Sequence, residues 1–160
     1  MLLSAGCKLP KSIFGHGFLT REGQKMGKSL GNVLDPLILH NQIGNDSLRW
    51  YLLRDIQFGS DGDFQKQRVI DLINNDLANT IGNLLNRTIS MSRKWYDNAI
   101  PIVDIRNNSQ LMFNSINTIK AYKQYLNIYD FQKACESIIN LATLANIYLN
   151  DQQPWINIKD

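Results

Sequence analysis

The sequence predicts a mainly α-helical protein led by a small α/β unit, and three observations predict it. Apolar residues recur at three- and four-residue steps from Gln65 to Tyr96, the stripe of an amphipathic helix. The chain before Asp63 is instead cut into short units by Gly23, Gly27, Gly31, Gly44 and Gly59. Asp35-Pro36 is a helix start, with Asp as the cap and Pro in the first turn. We therefore expect residues 1–63 to form the α/β unit and residues 64–160 an incomplete antiparallel helical bundle.

Taken in order, residues 12–20 read as a short strand, because Ile13, Phe14, Phe18 and Leu19 supply apolar and aromatic side chains. Arg21-Glu22-Gly23 is a turn, followed by a loop holding Lys25 and Lys28. The helix begun at Asp35-Pro36 should end near Gly44, and Asn45 or Asp46 should cap a second one in which Leu48, Tyr51, Leu52 and Ile56 repeat at helical spacing. The cluster Gly59-Ser60-Asp61-Gly62-Asp63 breaks that pattern. One long helix over 65–96 then carries Ile70, Ile73, Leu77, Ile81, Leu84, Thr88 and Met91 on one face, tolerating Gly82 at roughly 1 kcal/mol relative to Ala. Residues 100–108 should be a loop, and residues 109–126 and 130–149 two further helices. Asp130 and Asp151 bracket the last of them and Pro154 stops its extension. There is no internal repeat or low-complexity tract, and the abundance of Asn and Ile reads as coding bias.

Composition bounds the function classes. The 160 residues make one domain or two small ones, with no apolar run long enough to span a bilayer and no signal peptide at Met1 to Cys7. A formal charge of +3 permits contact with RNA without demanding it. Cys7 and Cys135 stand far apart and outside any C-x-x-C pair, which speaks against a zinc site or a disulfide framework and for a reducing, cytoplasmic setting.

The most informative stretch is Gly23-Gln24-Lys25-Met26-Gly27-Lys28-Ser29-Leu30-Gly31-Asn32. Two lysines three apart in a glycine-punctuated loop can close mobile ammonium groups over a polyphosphate; such a loop can also be a plain solvated turn. Its flanks narrow the choice. His16-Gly17-Phe18-Leu19 lies upstream, and Asp35-Pro36 and Asp46-Ser47-Leu48-Arg49 lie downstream. This order resembles the K-M-S-K-S signature region of class I aminoacyl-tRNA synthetases. Phe58-Gly59-Ser60-Asp61-Gly62-Asp63-Phe64, Asn75-Asp76-Leu77-Ala78-Asn79, Gly82-Asn83-Leu84-Leu85-Asn86-Arg87-Thr88 and Gln153-Pro154-Trp155 extend the likeness to methionyl-tRNA synthetases. The resemblance covers nearly the whole chain and thins between Ile100 and Tyr125. The N-L-x-N-R segment with Pro154-Trp155 argues against relatives specific for cysteine, leucine or valine.

The resemblance implies that residues 1–63 close the catalytic domain as a stem-contact region and that residues 64–160 belong to an α-helical anticodon-binding domain. It implies a methionine–tRNA ligase acting on methionine, ATP with Mg2+, and initiator and elongator tRNA(Met). Activation by ATP drives negative charge onto the α-phosphate and the departing pyrophosphate, so catalysis is mostly positioning and electrostatic stabilisation. The resemblance gives Lys28 the main transition-state role and Lys25 a supporting one, within an ATP-binding loop of Lys25, Met26, Gly27, Lys28 and Ser29. A lost donor of this kind costs on the order of 10²–10³ in rate. Gly27 stands where the family usually has serine, as in tyrosyl relatives, and should make the loop more permissive and entropically dearer to order. His16, with Gly17, either approaches the nucleotide or anchors the strand end through a backbone hydrogen bond. His40, without a partner carboxylate or cysteine, reads as surface or packing.

The second implied site reads RNA. Asn83 and Arg87, four apart, lie one above the other at the edge of the apolar stripe, and Trp155 follows Pro154 at a helix end. An amide and a guanidinium can bond the edges of an unstacked base while an aromatic ring stacks on another. On residue type alone the pair is a solvated helix edge and the tryptophan a packing lid; the resemblance assigns all three to recognition of the CAU anticodon. Arg93, Lys94 and Lys120 are either phosphate contacts or ordinary surface charge. The family's upstream nucleotide-binding domain is not in this sequence, so the chain reads as a piece of a longer protein. By itself it should make no adenylate, leaving a tRNA-binding module or an inactive remnant as alternatives.

Overall fold

The computed structural model describes residues 1–97, 99 and 110–157. It is mostly helical, with one small sheet. Strand β1 (Leu19–Arg21) turns into β2 (Gln24–Lys25), α1 (Pro36–Ile43) and α2 (Asn45–Asp55) follow, and β3 (Gly62–Phe64) completes the sheet in the order β2-β1-β3. β1 pairs antiparallel with β2, Thr20 opposite Lys25, and parallel with β3, Thr20 opposite Asp63. The two-residue turn holds Glu22 and Gly23 at φ of 55° and 74°. Positive φ at both central positions is the type I′ pattern that matches strand twist, and glycine occupies its second place.

The strand expected over residues 12–20 is thus only its last part. Its partner β3 begins at Gly62 opposite Leu19, and the chain before Gly62 turns, with Ser60 N–H bonded to the Gln57 carbonyl at 3.1 Å. The Phe18 carbonyl still accepts from Gly62 N–H at 2.9 Å, but residues 12–17 pair with no strand among the described residues. β3 itself lies where the sequence shows only a glycine-rich break, because its ladder comes from a strand some forty residues upstream.

Helix starts follow local chemistry. The Asp35 carboxylate accepts from Leu37 N–H at 2.8 Å to cap α1. Helix α2 differs from expectation: the chain enters it through Gly44 at φ 81°, with no side-chain cap bond, so Asn45 and Asp46 lie inside its first turn. There the Asp46 carboxylate faces the positive end of the helix dipole.

A core of Tyr51, Phe64 and Val69, ringed by Leu19, Leu34, Leu39, Ile43, Leu72 and Ile73, draws on residues from both sides of Asp63. Tyr51 meets Phe64 edge to face at 5.5 Å, and its hydroxyl donates to the Asp63 carbonyl at 3.3 Å. An edge-to-face pair adds about 0.5–1.5 kcal/mol beyond area burial. Burial pushes the Tyr51 phenol above its usual pKa.

The long helix expected over 65–96 is continuous but not uniform. It runs as α3 (Lys66–Leu72), a π-helical stretch Ile73–Gly82, and α4 (Asn83–Tyr96). Thr80 shows why the wider turn is tolerated. Its hydroxyl donates back to the Asn75 carbonyl at 2.7 Å, and its own carbonyl accepts from the Asn146 side-chain amide at 3.0 Å. Side chains thereby satisfy backbone groups that a regular ladder would use, as π segments require.

The loop expected over 100–108 and the start of the next helix at Ser109 lie outside the described residues. Helix α5 (Gln110–Asn127) packs along α6 (Phe131–Gln152), and α7 (Pro154–Asn157) is a single turn. Asp130 caps α6 by accepting from Lys133 N–H at 3.1 Å. Tyr129, at φ 61°, closes α5: its N–H bonds the Leu126 carbonyl at 3.1 Å and Asp130 N–H bonds the Tyr125 carbonyl at 2.9 Å. That is a Schellman ending with tyrosine where glycine usually sits. The Tyr129 ring gains neighbours in return, lying 5.3 Å from Phe14 and 6.3 Å from Phe131. Phe58 stacks on Phe14 at 4.8 Å and meets Phe131 at 5.1 Å, so four rings join the front loops to the α5–α6 corner.

A second junction is polar. Asp76, 6% exposed and inside the π-helical stretch, accepts from Trp50 Nε1 at 3.1 Å and from Arg54 Nε at 3.2 Å. Arg68 pairs with Asp55 beside it. Among the described residues no helix is long and apolar enough to cross a membrane.

Candidate functional site

The lysine loop is held from three directions. Lys25 ends β2, and Lys28 opens a single 3-10 turn, Lys28–Leu30. Between them the Asn32 side chain closes the loop: its Oδ1 accepts from Gly27 N–H at 2.9 Å and its Nδ2 donates to the Lys25 carbonyl at 3.2 Å. Gly27 is extended, at φ −151° and ψ 139°, a conformation open to any residue. A Cβ built there would meet only Leu30 carbons at 3.7 and 3.8 Å and Ser29 Oγ at 3.9 Å. The loop therefore does not exploit the freedom that glycine offers. Met26, half-buried, points its side chain toward an apolar hollow of about 200 Å³ shared with Leu34, Leu39, Leu48 and Phe64, which pins the loop's middle to the core.

The ammonium groups are on the outside. Lys25 Nζ sits 4.4 Å from the centre of the Phe18 ring, a cation–π contact worth about 0.5–1 kcal/mol at an exposed site. Lys28 and Ser29 are exposed, and Lys28 has no ion-pair partner among the described residues. Two cations and a hydroxyl thus face solvent from one short loop, the arrangement a polyphosphate needs.

Below the loop, Asp63 fixes the hairpin. Its Oδ1 accepts from Gly23 N–H and from Thr20 Oγ1, each at 2.8 Å, and its Oδ2 accepts from Gln65 Nε2 at 3.1 Å. The Gly23 amide, then the Gln65 and Thr20 bonds, hold its carboxyl below the usual carboxylate pKa. Asp61 does the same for the strand's entry, accepting from Phe18 N–H at 2.7 Å. Gly17 is where the two segments cross. A Cβ on it would lie 2.2 Å from the Ser60 carbonyl and 2.5 Å from Asp61 N, so only glycine fits.

His16 is exposed and bonds the Gly17 carbonyl through Nδ1 at 2.8 Å. A carbonyl only accepts, so Nδ1 is the donor in this bond. Of the two roles open to this residue, the backbone contact is present in the structure. It stands at the rim of an apolar cavity of about 300 Å³ walled by Leu19, Leu52, Leu53, Phe58 and Phe131. His40, in the last turn of α1, is exposed.

Asn83 and Arg87 lie one turn apart at the start of α4, and the fold brings Trp155 to Arg87. The Arg87 guanidinium carbon is 5.4 Å from the centre of the Trp155 ring, and Arg87 Nη2 donates to Asn150 Oδ1 at 2.7 Å. Trp155 is 46% exposed even with Arg87 over its ring. Asn83 is exposed. The tryptophan is thus not a buried lid. Arg93, Lys94 and Lys120 are exposed.

Four supporting residues carried no role in the sequence reading: Asn32, Asp61, Asp63 and Asn150. Asn32 had a local signal, a Gly-Asn pair at the loop's end. Asp63 and Asn150 act on partners 43 and 63 residues away, beyond the reach of any local pattern. Among the described residues no three His, Cys, Asp or Glu side chains cluster as metal ligands.

Comparison with known proteins places these features in context. Residues 1–89 match the family described as tRNA synthetases class I (M). The chain is 46% identical over 158 residues to a methionine–tRNA ligase of Nostoc sp., covering 97% of this chain and 30% of that protein. It is 41% identical over 163 residues to the chloroplastic/mitochondrial methionine–tRNA ligase of Arabidopsis thaliana, covering 99% of this chain and 26% of that one. Among solved structures, Mycobacterium tuberculosis methionyl-tRNA synthetase in complex with methionyl-adenylate superposes with a TM-score of 0.83 at 37% identity, over 97% of this chain and 31% of that chain. The chain therefore spans under a third of the length of these relatives.

Proposed function

Since this chain belongs to the class I tRNA synthetases of the methionine group, we propose that it works as part of a methionine–tRNA ligase, supplying the ATP-phosphate loop and the surface that reads the anticodon. In that reaction the methionine carboxylate attacks the α-phosphate of ATP, pyrophosphate leaves, and the terminal ribose hydroxyl of tRNA(Met) then takes the methionyl group from the adenylate. Lys28 and Lys25 stabilise the charge that builds on the α-phosphate and the pyrophosphate as the first bond breaks. Ser29 adds a donor. Asn32, Asp63 and Met26 keep the loop in register without touching the nucleotide. The family uses ATP with Mg2+; the described residues offer no ligand cluster for the ion, which would travel with the phosphates of the nucleotide.

Residues 1–63 would be the stem-contact region of such an enzyme and residues 64–160 its anticodon-binding domain. The juxtaposition of Arg87 with Trp155 carries this reading: a half-exposed indole lies beside a guanidinium, with Asn83 one turn away from Arg87. Those are the groups that recognise unpaired bases.

Binding of the purified chain to a CAU anticodon stem-loop tests it. We expect preference over a stem-loop whose anticodon C is changed to G, and loss of about 1–3 kcal/mol in Trp155→Ala, the worth of one stacked base. Equal weak binding to both RNAs, unaffected by that substitution, would mean only electrostatic attraction and would overturn the anticodon assignment.

A further inference from the structure

Among the described residues, Arg87 is the member of the Asn83–Arg87–Trp155 group whose polar end is engaged inside the protein. Its Nη2 donates to Asn150 Oδ1 at 2.7 Å while its guanidinium carbon sits 5.4 Å from the Trp155 ring centre. Asn150 is near the end of α6, one helical turn beyond Asn146 on the same face. Asn146 in turn donates to the Thr80 carbonyl at 3.0 Å, two turns before Arg87 on the other helix. Two asparagines of α6 therefore grip the helix that bears the base-reading pair. One holds its backbone at Thr80, and the other holds a side chain at Arg87.

A guanidinium on a long flexible stem reads a base edge only if its plane is fixed beforehand, since otherwise binding must order it. Asn150 takes one of its N–H groups and the Trp155 ring lies beside it, so two contacts restrict the guanidinium from different directions. The acceptor is a neutral amide, so the full positive charge of Arg87 stays available to RNA. We propose that Asn150 is a positioning residue for base discrimination: it presets the Arg87 guanidinium against Trp155 and does not itself touch RNA. This inference rests on the anticodon reading above.

The test uses the full 160-residue chain as wild type, Asn150→Ala, Arg87→Ala and the double variant. In the free protein, nitrogen-15 NMR of the arginine side chains reports rotation of the Arg87 guanidinium. Wild type should show slow rotation and Asn150→Ala fast rotation. On RNA, Asn150→Ala should lower the ratio of affinities for CAU over the C-to-G stem-loop by about tenfold, the worth of one hydrogen bond to a charged group. It should leave the salt dependence of binding unchanged and add nothing in the Arg87→Ala background.

Equal rotation rates in wild type and Asn150→Ala would overturn the proposal, as would an unchanged ratio. A further loss on top of Arg87→Ala would also overturn it, because Asn150 would then contact RNA directly. If wild type shows no CAU preference, the anticodon reading fails by itself, and the proposal fails with it as a statement about recognition. Asn150 is exposed, and an unchanged circular-dichroism melting curve verifies that the variants are folded.

Discussion

Gly27 is the residue at which this chain departs from the signature it resembles, and its geometry decides what the departure costs. The backbone there is extended, and a Cβ finds ordinary contact distances. Glycine at such a position spends unfolded-state entropy without using its conformational freedom. Gly27→Ala should therefore stabilise the chain by about 0.4–1 kcal/mol, measured by urea unfolding. Destabilisation would mean that the loop visits a left-handed state at this residue. Gly17 is the opposite case, since backbone atoms fill the space a side chain would take. In the sequence the two glycines look alike. They differ only through what the fold brings beside them.

At the scale of the element, the lysine hairpin depends on one carboxylate. The Gly23 amide, Gln65 and Thr20 lower the Asp63 pKa from its ordinary 3.8. A carboxyl with a depressed folded pKa contributes stability that is present above the unfolded value and lost as pH falls through the folded one. The hairpin should thus stay closed from neutral pH down to about 4 and open only below its ordinary value of 3.8, with the Gly23 amide resonance in an NMR titration as the reporter. In Asp63→Asn that dependence should disappear. A transition of the Gly23 amide between pH 5 and 7 would assign the anchor to another group. Helix starts at Asp35 and Asp130 were legible because a cap reaches two or three residues. The strand Gly62–Phe64 was not, because its ladder partner is the distant β1, and neither was the π-helical stretch, because Asn146 stabilises it from another helix.

For the molecule as a whole, the half that carries the lysines and the half that carries Arg87 and Trp155 are joined by several contacts, two of them side-chain clusters. One is aromatic, through Phe14, Phe58, Tyr129 and Phe131; the other is polar, through Trp50, Arg54 and Asp76. Asp76→Ala would leave the Arg54 charge and the Trp50 N–H without their shared acceptor. A loss of about 3 kcal/mol in urea unfolding is expected, and a change below half that would mean that water replaces the carboxylate. The lysine loop was legible as a site because its residues are contiguous, whereas the supports that hold it are scattered along the chain. The parallel pairing of β1 with β3 has a consequence for synthesis on the ribosome. The segment bearing Lys25 and Lys28 leaves the exit tunnel well before Asp61, Gly62 and Asp63, so the nascent hairpin has nothing to clamp it. Phe14 can meet Phe58 at that stage, but it gains its second ring only when Tyr129 is translated. This front segment therefore completes its packing only after residues well downstream of it have emerged.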